Sequence, residues 1–409
     1  MTQASVISGY SFERAAPERA HASFTLAGIS VDVIEDIVEA ERDWRAFQQR
    51  ADGTVFQSFE WLSTWQRHIG APQDVRPAIV IGRAADRSIL FLLPLATQRF
   101  AFARELVWLG MQLCDYTGPL LTPDFSARVN REIFANVWAE LLKMLSAHPR
   151  FGFDLVRLEK MPETVGTQAN PLLSLPVSRN PSGAYQTPLT TNWDEFYAAK
   201  RSGSTRRRDR SKRKHLEALG KVQFVEPATD AERRDTLETM MQQKARSFAR
   251  MGVASLFERP GYAAFYRAVS NEPIAHVSRL DIGSHPGAIN LGLMARGRYY
   301  HLLASYTDEA DYARLGPGAA HLLEMMANAI RRGCSAFDFT IGDEPYKLDW
   351  CEARQTLHDH LSARTPAGAV VVAARKAALW AKRSIKESAA LWSAFYKLRA
   401  AAGKLFALK

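Results

Sequence analysis

Apolar positions in this chain recur at two spacings, and the switches between them mark out the elements. Residues 29–37 alternate Val31 and Val33 with Asp32 and Glu35, as a half-buried strand does, and residues 37–50 follow as a helix with Trp44 and Phe47 inward. Phe59, Leu62, Trp65 and Ile69 then fall at helical spacing, which makes them core and leaves Glu60 and His68 facing solvent. Residues 77–82, 88–96 and 105–109 read as a strand meander, followed by a loop, a helix over 131–148 and a strand over 154–158. The second half shows the same order: strands over 275–281, 288–295 and 299–306, a loop, a helix over 319–332 and a strand over 336–340. Equal order predicts an internal structural repeat, although residue identity between the halves is negligible. Residues 162–188, rich in Pro, Ser, Asn and Thr, suit a linker between the copies.

The loop before the second helix is the chemically informative stretch, Arg314-Leu315-Gly316-Pro317-Gly318-Ala319. A strand that feeds a glycine turn onto a helix N-terminus offers free backbone N–H groups and a partial positive charge, and absent side chains let a ligand approach. An anionic ligand is therefore expected above Gly316 and Gly318. Arg331 and Arg332 suit the negative end of that helix, and Gly333 suits its stop. The corresponding loop of the first copy carries Asp115, Tyr116 and Pro123 and has no Gly-x-Gly.

Charge sharpens the picture more than composition does. The 409 residues are 47% hydrophobic and 23% charged, an ordinary globular balance with room for two or three domains. Of the net +10, residues 200–214 supply +8 and residues 366–409 another +8, so the remainder is 10 − 16 = −6. Basic surface is thus confined to two tracts, and the rest of the chain would repel a polyanion, which argues against general nucleic-acid binding. The tract at 200–214, with Arg207 and Arg208 at its centre, admits three readings: a solvated helix face, a clamp for substrate or coenzyme A phosphates, or a contact for a tRNA backbone. The C-terminal tract sets Trp380, Trp392, Phe395 and Phe406 among Lys and Arg; it either packs on the body of the protein or lies on an anionic membrane surface. The N-terminus has no apolar run behind a basic start, and no stretch approaches the ~20 apolar residues of a membrane span. Cys114, Cys334 and Cys351 are odd in number and far apart, and no Cys-x-x-Cys or His pair suggests a metal. The expectation is a cytoplasmic chain without metal or permanently bound cofactor, with peripheral contact at the inner membrane face left open.

Four motifs in order resemble one family. Arg314 to Ala319 resembles a degenerate acyl-coenzyme A pyrophosphate loop of GNAT acyltransferases, with Ala313 where that loop carries Gln or Arg. FDFTIGDEPYKLDW, VFQSFEWLSTWQRHIG and the basic run before His215-Leu216-Glu217 are similar to motifs of the FemAB-like and cellulose-biosynthesis CelD-type branch, and the match spans roughly residues 54–350. The resemblance implies an α/β (α+β) fold of tandem GNAT-type domains, each a mixed and mostly antiparallel sheet flanked by helices, with a basic helical tail. The expected boundaries are a mobile tail over 1–24, a first domain over 25–165, a linker over 166–190, a second domain over 191–365 and the tail over 366–409.

The same resemblance implies N-acyl transfer from acyl-coenzyme A, as co-substrate, to an amino group of a sugar or similar envelope or exopolysaccharide precursor. Aminoacyl transfer from tRNA, or a non-catalytic membrane-associated subunit of a polysaccharide synthase, are the alternatives. Since no Ser-His-Asp or Cys-His arrangement is legible, direct attack in a ternary complex is expected. Arg314, Gly316, Gly318, Ala319 and Tyr306 would hold the donor. Asp115 and Tyr116 on the first copy, with Arg207 and Arg208, would hold the acceptor. Tyr346 could give the leaving thiolate its proton, and Lys347, read as a loop lysine, could stabilise the oxyanion. Asp338 is either the base or a carboxylate that satisfies neighbouring backbone.

Overall fold

Residues 21–387 are described by a computed structural model. The chain opens with the hairpin β1 (His21–Leu26) and β2 (Ile29–Ile34), then α1 (Glu41–Gln48) and α2 (Phe59–Trp65). The meander β3 (Arg76–Arg83), β4 (Ile89–Phe100) and β5 (Ala103–Trp108) follows, with the short β6 (Leu120–Leu121) against β4. Next come α3 (Phe125–Arg128), α4 (Arg131–Ala147) and β7 (Leu155–Pro162), then the small pair β8 (Thr164–Val165) and β9 (Gln168–Ala169), then β10 (Val177–Arg179) and β11 (Ala184–Pro188). The second half holds α5 (Trp193–Lys200), α6 (Gly203–Leu219), β12 (Val222–Val225), α7 (Asp230–Arg250) and α8 (Tyr262–Val269). Its meander is β13 (Ala275–Ile282), β14 (His285–Ala295) and β15 (Arg298–Tyr306), followed by α9 (Ala310–Ala313), α10 (Pro317–Arg331), β16 (Ala336–Ile341), β17 (Leu357–Ala363) and α11 (Pro366–Glu387).

Two mixed sheets result, one ordered β1-β2-β3-β4-β5-β7-β17-β10 and the other β11-β16-β15-β14-β13-β12. The pairs β5–β7 and β15–β16 are parallel and the other neighbours antiparallel. Each parallel pair follows a helical crossover, which is what returning a strand in the same direction requires.

Each sheet is extended by a strand from outside its own half. β17 leaves the second half to pair with β7, and β11, cut from the stretch expected to be a linker, pairs with β16. Residues 166–190 therefore supply strands to both sheets, and residues 357–363 belong to the first sheet rather than the second domain. Pairing covers the otherwise open edges of β7 and β16. Residues 21–24, expected in a mobile tail, are in β1; residues 1–20 lie outside the described residues.

The aromatics of residues 55–70 are core, and they join the two halves: Trp61 meets Phe265 of α8 edge-on at 4.9 Å, and Phe56 meets Tyr300 of β15 at 5.8 Å. Such pairs contribute about 0.5–1.5 kcal/mol beyond the area they bury. Glu60, expected at the surface, is buried because Arg45 and Gln48 of α1 hydrogen-bond its carboxylate. The start of α11 packs on the first sheet, with Val371 and Val372 against Ala103 and Leu155 and Arg375 donating to the buried Glu105 at 2.7 Å. The remainder of the basic tail, residues 388–409, lies outside the described residues.

Candidate active site

β15 delivers the chain to α9 and then to Gly316, which caps α10 at φ +69°, a left-handed conformation that a β-carbon disfavours. Pro317 occupies the first turn, and no side chain caps the α10 N-terminus. Its free N–H groups carry the positive end of the helix dipole. In front stands α6, whose Lys212 Nζ lies 3.6 Å from where a Gly316 β-carbon would sit. Between α6, α10 and the end of β15 runs a cleft of about 460 Å³, which Gly316, Gly318, Ala319 and Tyr306 line.

One wall is aromatic. Trp193 stacks on Tyr197 at 5.0 Å, Tyr197 faces Trp350 at 6.4 Å, and the Arg201 guanidinium lies 5.1 Å over the Trp350 ring. Arg201 pairs with Asp349 at 2.8 Å, yet its buried Nε has no hydrogen-bond partner among the described residues. The floor is His301 of β15, packed near Phe337 and Phe339. Burial, and then the nearby Lys347 and Lys244 cations, push its pKa down to about 3, so the cleft presents a neutral imidazole at physiological pH. Reasoning from sequence missed His301, because a histidine within an apolar strand looks like core.

Tyr346 lines the same cleft, 39% exposed, with its ring edge-on to Phe339 at 6.0 Å and its phenol pushed up to about 12, chiefly by burial. The neighbouring Lys347 is only 3% exposed, not a loose loop lysine, and does not line the cleft. Its ammonium donates to the Ile341 carbonyl at 3.0 Å and the Thr340 carbonyl at 3.4 Å, and pairs with Glu344 at 2.9 Å.

Asp338, by its sequence either a base or a carboxylate that satisfies neighbouring backbone, is fully buried between the halves and does not line the cleft. Its carboxylate accepts from Tyr116 Oη at 2.7 Å, the Thr340 backbone N–H at 2.8 Å and Arg298 at 3.1 Å. Burial raises its pKa against the opposing pull of Arg298 and Tyr116. Tyr116 is thus a structural tie between the copies rather than an exposed substrate contact. Asp115 stands beside it, half-buried and hydrogen-bonded to the Thr340 side chain, with burial raising its pKa to about 6. Arg314 is exposed, leans on Asp311 at 3.5 Å and is not a wall of the cleft. Arg207 and Arg208 are also exposed and away from it; the basic residues of α6 that do line it are Arg210, Lys212 and Arg213. Among the described residues, no group of three His, Cys, Asp or Glu could hold a metal ion, and no helix is long and apolar enough to cross a membrane.

An uncapped helix N-terminus, a neutral imidazole and a phenol thus meet at one cleft. Residues 203–348 match the family model described as acetyltransferase (GNAT) domain, which marks this part of the chain as an acyltransferase domain using an acyl donor and an acceptor. In overall fold it is similar to the crystal structure of FemX, at 13% identity and TM-score 0.55 over 78% of this chain and 95% of that one. It is also similar to a conserved protein of unknown function from Bacteroides thetaiotaomicron VPI-5482, at 10% identity and TM-score 0.50 over 81% of this chain and 99% of that one. No curated protein matches the chain.

Proposed function

We infer that the protein transfers an acyl group from acyl-coenzyme A to an amino group of a sugar or similar envelope or exopolysaccharide precursor. The observation that carries the donor assignment is Lys212 Nζ, 3.6 Å from the Gly316 β-carbon position over the uncapped N-terminus of α10. An ammonium held beside an uncapped helix N-terminus sets two positive groups side by side at the cleft, which suits a pyrophosphate lying against both. Gly318 and Ala319 leave room for it, while Arg201 and Tyr306 flank the remainder of the donor. In the ternary complex the acceptor amine attacks the thioester carbon, His301 takes the amine proton, and the C–S bond breaks as Tyr346 protonates the departing thiolate. Lys347 acts by fixing the 340–341 backbone rather than by touching the oxyanion. Residues 25–165 shape the acceptor side. The amino-sugar class rests on the family resemblance.

A second reading, aminoacyl transfer from tRNA, is favoured by the outward Arg207 and Arg208, which have no carboxylate partner among the described residues. Calorimetric titration with acetyl-coenzyme A and with charged tRNA separates the two. Saturable coenzyme A binding that weakens in Lys212→Gln supports the first; saturable tRNA binding without coenzyme A binding reverses the order.

A further inference from the structure

Far from the cleft in the fold, the β4–β5 hairpin ends in an exposed aromatic tip. Phe100 is 44% and Phe102 68% exposed, with Ala101 between them at φ +53° making the tight turn. Two exposed aromatic rings side by side at the end of a hairpin are a cost in water that a monomeric surface seldom carries without use.

Arginines outnumber carboxylates around this tip. On one face of the hairpin, Arg99 and Arg104 are cross-strand partners and Arg76 pairs with Thr97 two residues before Arg99. These three and Arg150 surround a small pocket of about 160 Å³ whose carboxylate is Asp74. Arg76 reaches Asp74 only at 3.5 Å, and Arg150 is paired with Glu35 at 2.9 Å. The Arg99 and Arg104 guanidiniums have no carboxylate partner among the described residues. On the other face lies α11, with Arg375 3.9 Å over the Phe100 ring and Val370 59% exposed. That helix leads into the basic tract of residues 366–409, with a charge of +8.

We propose that this tip is a membrane-docking wedge: Phe100 and Phe102 enter the headgroup layer of an anionic bilayer, and Arg76, Arg99 and Arg104 take lipid phosphates in the pocket beside it. The argument for a bilayer is charge complementarity joined to an apolar point. A soluble anion would need the arginines and not the phenyl rings. A protein partner of the same charge would offer carboxylates, whereas a phospholipid surface presents phosphates directly above an apolar layer, in the vertical order of the arginines and rings. The Arg fork fits phosphate oxygens in pairs. Docked this way, the protein would act on acceptors presented at a membrane surface, whichever donor the cleft takes.

The test is sedimentation of the full-length protein with vesicles of phosphatidylcholine alone and of equimolar phosphatidylcholine and phosphatidylglycerol. Wild type should pellet with the anionic vesicles, and added salt should weaken the binding. Arg99→Gln and Arg104→Gln should each lower the partition coefficient about fivefold, and Phe102→Ser about tenfold. All three side chains are at least partly solvent-exposed, and thermal melts should match wild type, so lost binding would not reflect unfolding. The proposal fails if wild type ignores the anionic vesicles or if a variant combining Arg99→Gln, Arg104→Gln and Phe102→Ser binds like wild type. Binding abolished only by removal of residues 388–409 would assign the contact to the tail instead. Competition by millimolar inorganic phosphate at constant ionic strength would make the pocket a site for a free anion and also overturn the wedge.

Discussion

Replacing Lys347 by Met keeps the aliphatic stem and removes the ammonium, which lies 5.9 Å over the Tyr185 ring. In the folded protein that ammonium is 3% exposed and donates to two carbonyls, Thr340 and Ile341. A hydrogen bond from a charged donor contributes roughly 1.5–3 kcal/mol, and a buried acceptor left without a partner costs about 1–3 kcal/mol. One strong bond, at 3.0 Å, and one long one, at 3.4 Å, place the loss on the order of 3 kcal/mol. Thr340 adds to the stake, because it sits at φ +60°, a conformation costing a β-branched residue about 1–2 kcal/mol that its neighbours must hold. Denaturant unfolding of Lys347→Met should therefore show a clear fall in midpoint at an unchanged slope. The variant should also shift the pH–rate profile: Lys347 is the second cause, after burial, that keeps His301 unprotonated, so its loss makes His301 easier to protonate and moves the acid limb upward. A midpoint equivalent to within about 0.5 kcal/mol of wild type, the behaviour of a surface lysine, would refute the structural role.

Other substitutions address the donor, the base and the pH response. Gly318→Val puts its first added carbon 3.3 Å from the Tyr306 ring and its branches into the cleft, and calorimetry should show coenzyme A binding weakened at least tenfold with little change in melting. His301→Gln should lower kcat by about 10²–10⁴, the usual worth of a general base; full turnover would remove it from the mechanism. Asp115 has a folded-state pKa raised from 3.8 to about 6, so its protonated form is favoured by folding and stability is lost as pH rises through about 6. Asp115→Asn should gain on wild type between about pH 4 and pH 7 by at most about 3 kcal/mol, less what solvent screening removes. Parallel stability–pH curves for the two would show that Asp115 is not perturbed.

What the sequence made legible is what repeats at short range. β13 to β16 and α10 follow from runs of period two and 3.6 punctuated by glycine, and their observed bounds differ from the expected ones by a few residues. β17 was not legible: LHDHLSA alternates poorly, and only the open edge of β7 makes it a strand. Glu60 and Lys347 were misplaced for one reason, since burial of a charge depends on partners, Arg45 and Gln48 in one case and two carbonyls in the other, that lie elsewhere in space. The cleft face of α6 did leave a signal. Its one buried side chain is Leu216, and stepping back three, four and seven residues gives Arg213, Lys212 and Asp209, all of which line the cleft. Arg207, nine residues back, falls on the opposite face, and Arg208, eight back, is exposed at the margin of the inner one.

The two halves also share a backbone irregularity that no residue pattern announces. Lys160 in β7 and Thr340 in β16 both adopt left-handed φ, +62° and +60°, two or three residues beyond the last parallel pair of each sheet. Opposite each lies a register shift in the added strand, between His358 and His360 in β17 and between Tyr185 and Gln186 in β11. One bulge at one place in both sheets supports the repeat where sequence identity cannot, and it also shows how the copies diverged. Lys160 donates to the Met111 and Cys114 carbonyls at 2.9 and 2.7 Å, so in the first half the loop after β5 is tied down to the bulged strand. In the second half the residue at the bulge is a threonine, and the loop after β15 instead rises through Gly316 to the N-terminus of α10. Because β11 and β17 come from outside the halves whose sheets they extend, separating the halves near residues 166–190 would leave the edges of β7 and β16 unpaired. The copy without the glycine loop is thus held in place by these strands, and the Tyr116–Asp338 bond joins its loop to the strand that follows the donor helix.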